Sequence, residues 1–134
     1  MPDLEQARLM LQLAEGDLQA AAAMTDETAF QTRVFGFHAQ QAVEKALKAW
    51  LSLADAQYPR IHDLEALFGL LSDRDWLIPD RFQQLAFLTE FAVQFRYSAF
   101  NDLTDSIDRP AVIREVGELL QHVEDLLRDA EAGA

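Results

Sequence analysis

The most informative stretch of the chain runs from residue 35 to residue 53 and is FGFHAQQAVEKALKAWLSL. It contains no proline and a single glycine, and its apolar residues recur at steps of three and four, the period of an amphipathic helix. One arc of that helix carries Phe35, Ala39, Ala42, Val43, Ala46, Leu47, Trp50 and Leu53. The opposite arc carries His38, Gln41, Lys45, Lys48 and Ser52. We predict that the apolar arc is core, within a helix that covers about residues 29–54.

The same period continues on both sides of this helix. It predicts a first helix over residues 3–23 with Asp3 as its N-cap, and a short third helix marked by Leu64, Leu67, Phe68 and Leu71. A fourth helix is predicted over about residues 80–95, and Pro110 opens a last one that ends near Asp129. The expected fold is therefore all-α, an up-and-down bundle of four long helices plus one short helix, in a single domain over residues 1–134.

Composition limits the function classes. The chain has 134 residues, with 11 Lys and Arg against 23 Asp and Glu, and a formal net charge of -12. A uniformly attractive surface for nucleic acid or anionic lipid is excluded, so an anion site has to be a local patch. The absence of cysteine excludes disulfides, thiolate nucleophiles and Cys-ligated metals. No apolar run reaches the ~18 residues of a membrane span and the first residues are acidic, so we expect a cytoplasmic protein without a cofactor.

A candidate patch lies on the polar arc of the second helix. Lys45 and Lys48 are the only lysines of the chain, and they share this arc with His38 and Gln41. On spacing alone the favoured interpretation is a solvated face, on which Glu44 and Lys48 form an i,i+4 ion pair. The alternative is a local cationic strip that binds phosphate.

Three further residues complete the candidate patch. His62 begins the third helix beside Asp63, where it is either a structural hydrogen-bonding residue or a contributor to chemistry. Arg96 and Tyr97 follow the aromatic fourth helix, where the arginine either compensates the helix C-terminus or binds phosphate. The candidate anion patch is therefore Lys45, Lys48, His62, Arg96, Tyr97, His38 and Gln41.

The remaining histidine, His122, is expected to be exposed on the last helix. With Glu118 it forms the one helical pair at metal-ligand spacing, which is a weak indication, and we expect no metal site.

From Phe37 to Leu51 the chain reads FHAQQAVEKALKAWL, which resembles the signature helix of HEPN domains, the higher eukaryotes and prokaryotes nucleotide-binding family. Further landmarks of that family follow the same order: Gly-Asp-Leu at 16–18, His-Asp-Leu at 62–64 and Arg-Tyr at 96–97. The resemblance covers about residues 4–128. It implies a helical bundle that usually dimerises, acts in toxin or defence systems linked to nucleic acid, and is often encoded beside or fused to a minimal nucleotidyltransferase.

One feature departs from the catalytic members of the family, which resemble metal-independent ribonucleases with an Arg, four to six residues, and then a His. Here Arg96 is followed by Asn101, Asp102 and Leu103 at those positions. The pattern favours a non-catalytic module that binds nucleotide, nucleic acid or a nucleotidyltransferase partner. The alternative is a ribonuclease toxin with a displaced Arg and His, for which His62 is the candidate imidazole. We also expect a homodimer, because Phe37 stands on the otherwise polar arc of the second helix.

Overall fold

A computed structural model describes residues 2–92 and 107–133. Its helices are α1 (Leu4–Ala22), α2 (Thr32–Leu53), α3 (Leu64–Ser72), α4 (Asp80–Gln83) and α5 (Arg109–Ala132), with a 3₁₀ helix, Gln84–Phe91, directly after α4. The described residues contain no strand. The prediction of an all-α helical bundle is confirmed.

Side-chain caps determine where three of the helices begin. The carboxylates of Asp3, Asp63 and Asp108 accept backbone N–H bonds in the first turns of α1, α3 and α5. Each bond satisfies a donor that has no partner within its helix. Helix α2 begins at Thr32, three residues later than predicted, because Asp26 accepts bonds from the backbone N–H and hydroxyl of Thr28 and holds that segment in a turn.

Helix α1 runs antiparallel to both α2 and α5, which are therefore parallel to each other. The backbone N–H of Asp3 donates to the carbonyl of Ser52, so the start of α1 lies at the end of α2. Arg8 forms an ion pair with Glu131, so the start of α1 also lies at the end of α5. Helix α2 contacts α1, α3, α5 and the 3₁₀ helix. It is therefore the central element of the bundle, and its predicted apolar arc is buried as expected.

The fourth helical segment differs from the prediction. It begins at Asp80 as expected, but only its first turn is α-helical and the rest is 3₁₀. The apolar residues Phe82, Leu85, Leu88 and Phe91 recur every three residues, and all four are buried. A helix with three residues per turn aligns such residues in one row, which explains why this sequence adopts the tighter form against the core. The predicted last turn, beyond residue 92, lies outside the described residues.

A buried arginine fixes the start of α5. The Arg109 side chain is 2% exposed, and its guanidinium donates to the backbone carbonyls of Met24 (2.7 Å) and Phe30 (2.9 Å). It also lies over the Phe35 ring, 5.2 Å from the centroid. These contacts satisfy carbonyls of the α1–α2 connection that have no helical partner, and they join that connection to both α2 and α5.

A glycine in α2 allows the 3₁₀ helix to approach closely. A Cβ atom at Gly36 would lie 2.5 Å from the ring of Phe91. Because Phe91 is buried, its ring has no free space into which it could move. We predict that Gly36→Ala lowers the free energy of unfolding by about 1–3 kcal/mol, the usual cost of overpacking. Urea unfolding measures the change.

Gly69→Ala is the matched control for this prediction. Gly69 is also inside a helix, but a Cβ atom there meets nothing within 4 Å. The control variant should be neutral or more stable by up to about 1 kcal/mol, since alanine favours helix more than glycine does. Equal stability of Gly36→Ala and the wild type would contradict the proposed close approach.

Candidate functional site

The predicted cations of α2 lie beside two carboxylates, the first of which is Asp17 on α1. Lys45 Nζ lies 2.6 Å from Asp17 Oδ2, and His38 Nδ1 lies 3.2 Å from Asp17 Oδ1. All three side chains are about three-quarters buried or more. Asp17 therefore joins two turns of α2 to α1, and we call these three residues the Asp17 cluster.

The second carboxylate is Glu44 of α2, whose side chain is only 6% exposed. Its Oε2 accepts a bond from Lys48 Nζ at 2.9 Å, and its Oε1 lies 2.9 Å from His62 Nδ1. Gln40 Nε2 donates to the same Oε1 at 3.0 Å and also to the backbone carbonyl of His62 at 3.1 Å. We call Gln40, Glu44, Lys48 and His62 the Glu44 cluster.

Opposing effects set the protonation of Glu44. Burial raises the pKa of this carboxyl, while the bonds from Gln40, Lys48 and His62 lower it, and the net result is a pKa below the ordinary value of 4.5. Glu44 is thus ionised at neutral pH, and its negative charge is balanced by Lys48 in a site with little water.

Further polar contacts extend from the Glu44 cluster. Gln41 Nε2 donates to Gln40 Oε1 at 2.8 Å, which joins the partly exposed edge of α2 to the cluster. Lys48 Nζ lies 5.5 Å from the centroid of the Tyr58 ring, and the Tyr58 hydroxyl accepts a bond from Gln6 of α1 at 3.1 Å. The connection before α3 therefore covers the charged side of α2.

The structure brings four of the predicted patch residues into these clusters: His38, Lys45, Lys48 and His62. A fifth, Gln41, is bonded to Gln40 at the edge of the Glu44 cluster. Arg96 and Tyr97 lie outside the described residues. The Glu44–Lys48 pair forms as predicted. The prediction that this part of α2 is a solvated face is wrong, because Lys48 and Ser52 are buried. The segment that contains Tyr58 and His62 covers them, and the hydrophobic period of α2 gives no indication of that cover.

The two carboxylates are the residues of this candidate site that the spacing argument does not place. The sequence predicts Glu44 only as a helical partner of Lys48, and Asp17 enters only as part of the Gly-Asp-Leu landmark. Their signal in the sequence is weak, because an acidic residue on an amphipathic helix is ordinarily exposed. The burial of both clusters depends on which helix packs beside α2.

His62 is the most accessible member of the two clusters, with 59% of its side chain exposed. An ionised carboxylate only accepts hydrogen bonds, so Glu44 holds the proton of His62 on Nδ1. In the neutral imidazole this leaves the lone pair of Nε2 free to accept a proton. The arrangement is that of a carboxylate-oriented general base.

His122 does not lie where it was expected. It is partly buried, and its ring packs 5.1 Å from Trp50 and 5.5 Å from Phe82, measured between centroids. Burial is the main cause that lowers the pKa of this imidazole. The prediction of an exposed His122 is therefore wrong, because α2 and α4 both pack against this part of α5. No group of three or more His, Asp or Glu side chains that could hold a metal occurs among the described residues.

A cavity of about 380 Å³ lies beside the Glu44 cluster, at the end of α2. Its lining includes Tyr58 and Ser52, together with the carboxyl-bearing residues Asp3 and Asp55. Since two acidic residues line it, this cavity disfavours a phosphate.

A scan against protein-family models matches the model of the HEPN domain to residues 7–132. The chain belongs to the HEPN family. Both clusters lie within the matched residues, and the family is one of nucleotide- and RNA-related modules. Comparison with curated proteins and with solved structures gave no significant match. None of the described helices is both long and apolar enough to cross a membrane.

We predict that Glu44→Gln lowers the free energy of unfolding by about 1–3 kcal/mol at pH 6, because Lys48 loses its charged partner in a buried site. The folded-state pKa of Glu44 is lowered, so its contribution is fully present above pH 4.5 and is lost as the pH falls through the folded-state value. The difference between wild type and variant should therefore shrink in urea unfolding at about pH 3.

Glu5→Gln provides the control for that experiment. Glu5 is an exposed carboxyl residue in the first turn of α1. Its replacement should change stability by less than about 0.5 kcal/mol at either pH. A Glu44→Gln penalty of the same size at both pH values would contradict the assignment of an ionised Glu44.

Proposed function

We propose that this HEPN chain is a non-catalytic module that works by binding a protein partner, a minimal nucleotidyltransferase, in a toxin–antitoxin or defence system of the cytoplasm. One observation carries the proposal: the two lysines and two histidines of the candidate anion patch, Lys45, Lys48, His38 and His62, are each bonded to Asp17 or Glu44. A phosphate would have to displace these carboxylates. In a protein of net charge -12, binding to a partner that itself carries the nucleotide is the better-supported function.

The sequence after Arg96 supports the non-catalytic part of the proposal. Metal-independent cleavage of RNA needs an imidazole close to the reacting oxygen and a cation that holds the phosphate. Asn101, Asp102 and Leu103 occupy the positions where the family's histidine would stand. An amide does not titrate, and an ionised carboxylate repels phosphate, so neither replaces the imidazole.

Capture of the tagged chain from its native host tests the partner. We expect mass spectrometry to identify a small nucleotidyltransferase in the captured complex. We also expect calorimetry with ATP at low salt to detect no binding to the chain alone, because Lys45 and Lys48 are already paired with carboxylates.

Binding of ATP to the chain alone would instead indicate a direct nucleotide site. ATP binding to the chain alone, weakened by Lys45→Ala and Arg96→Ala but not by the exposed control Arg114→Ala, would contradict the partner proposal. Capture without any nucleotidyltransferase would contradict it as well.

A second candidate function, a ribonuclease with a displaced site, is favoured by the exposed imidazole of His62 on a buried carboxylate. Under the main proposal we expect labelled RNA to remain intact when it is incubated with the purified protein and a chelator. Cleavage by the wild type that is lost in His62→Ala and Arg96→Ala would establish this second function. Cleavage that persists in both variants would assign the activity to a contaminant or to another site, and would exclude the His62 mechanism.

We propose in addition that the module is a homodimer, as the family resemblance implies. Phe37, the residue on which this expectation was based, is partly buried and packs edge-on against His38 at 5.4 Å. The apolar surface available for self-association therefore has to include other residues.

A further inference from the structure

The cavity at the end of α2 lies where three parts of the chain meet. Asp3 and Gln6 come from the start of α1, Ser52 from the last turn of α2, and residues 55–58 from the connection that follows it. Its volume of about 380 Å³ falls within the range of pockets that hold small molecules, about 300–1,000 Å³. We call this space the α2-end cavity.

The α2-end cavity belongs to the described part of the chain. The elements on either side of residues 93–106 both meet the opposite end of α2, where Phe91 packs at Gly36 and Arg109 lies over Phe35. Gly36 and Ser52 are separated by about 24 Å along the helix axis. The cavity can therefore be considered from the contacts of the residues that line it.

Acidic and uncharged side chains line the α2-end cavity. Asp3 and Asp55 contribute carboxyl groups. The other described residues of the lining are uncharged, and they are Gln6, Ser52, Ala56, Gln57 and Tyr58. A cleft lined by one sign of charge concentrates the opposite sign, so this cavity attracts a cation.

Two cations close to the cavity have partners of their own. Lys48 lies over the Tyr58 ring, but its Nζ donates to Glu44 at 2.9 Å. The guanidinium of Arg74 donates to two backbone carbonyls just after α2. Neither residue lines the cavity, so the described lining has no positive charge of its own.

The hydroxyl of Ser52 is a second and independent indication of a ligand. Ser52 is only 6% exposed, and it lines the cavity, so its small exposed part faces that space. Its backbone carbonyl accepts bonds from the N–H groups of Asp3 (3.1 Å) and Asp55 (3.3 Å), but its hydroxyl bonds to none of the described residues. Because a buried hydroxyl without a partner costs free energy, such groups are usually bonded to water or to a ligand.

The polar groups around the cavity are mainly acceptors. Asp3 Oδ1 accepts one bond, from the backbone N–H of Gln6 at 2.9 Å, and a carboxylate has about four acceptor positions. The hydroxyl of Ser52 and the amide oxygen of Gln57 are further acceptors. A positively charged group with several N–H donors matches this set, and guanidinium and ammonium groups are of that kind.

We propose that the α2-end cavity binds an organic cation, a guanidinium or ammonium group carried on an alkyl chain. Asp3 and the hydroxyl of Ser52 accept hydrogen bonds from the cationic group, and the alkyl chain packs against the ring of Tyr58. The group is supplied either by a Lys or Arg side chain of a protein partner or by a free polyamine, since the two present the same chemistry. This inference goes beyond the proposed function, because the cavity is formed by the chain alone.

An NMR titration with butylguanidinium, which reproduces an arginine side chain, tests the cavity. We expect the amide signals of residues 52–58 to shift, with a dissociation constant in the millimolar range that is usual for so small a ligand. Butylurea has the same shape without the charge. It should leave these signals unchanged at the same concentrations.

Three variants locate the binding groups. Asp3→Asn should weaken binding at least ~tenfold, because it removes the charge while asparagine still caps α1. Ser52→Ala should weaken it about threefold, the effect of one hydrogen bond. Asp108→Asn is the matched control. Asp108 caps α5 through a single bond to the N–H of Ala111, and its replacement removes the same charge from the far end of the bundle.

Each alternative result would overturn the inference. The cavity is not a binding site if butylguanidinium at tens of millimolar moves none of the signals of residues 52–58. Equal weakening by Asp3→Asn and Asp108→Asn would assign the effect to the net charge of the protein. Equal binding of butylurea would show that the cavity does not select a cation.

Capture from the native host distinguishes the two sources of the cation. A partner side chain in the cavity requires that Asp3→Asn captures at least ~tenfold less partner than Asp108→Asn does. A free polyamine requires equal capture by both variants, and spermidine that shifts the same amide signals as butylguanidinium. Equal capture without such shifts would overturn the inference. A chain that captures no nucleotidyltransferase contradicts the proposed function alone, because the titration uses the isolated chain.

Discussion

The constraint on which the structure depends is that α2 is covered by other elements along most of its length. An amphipathic helix at a surface keeps one polar side in water, but this helix contacts α1, α3, α5 and the 3₁₀ helix. Its polar residues consequently have to find partners inside the protein. Asp17 comes from α1 and His62 from the connection before α3, and each completes an interaction that a single helix cannot provide.

The polar clusters also show the role of the two lysines in this strongly acidic chain. Both lysines are used to balance carboxylates at partly or fully buried positions, rather than to display positive charge. Breaking such a pair is costly, because the remaining charge is left without water or a partner. The clusters thus define the packing of α2, and they reduce the attraction of this face for phosphate.

The pairing of these lysines with carboxylates also bears on what the HEPN module can bind. Direct recognition of nucleic acid relies on free cations, and the described cations of the candidate patch are bonded to carboxylates. Recognition of a protein depends instead on matched surfaces. Helix α1 has two exposed apolar residues one turn apart, Leu9 and Leu13. The accessible imidazole of His62 is the one group of the clusters whose environment suits acid–base chemistry.

The sequence by itself determined the helices and the buried arc of α2, because the period of apolar residues and the capping aspartates are local properties. It did not determine that Gln84–Phe91 would adopt a 3₁₀ form, that Lys48 would be buried, or that His122 would pack against Trp50. Those outcomes depend on which surfaces meet across long separations in the chain. Burial of a charged residue is decided by its neighbours in space, and only the tertiary structure supplies them.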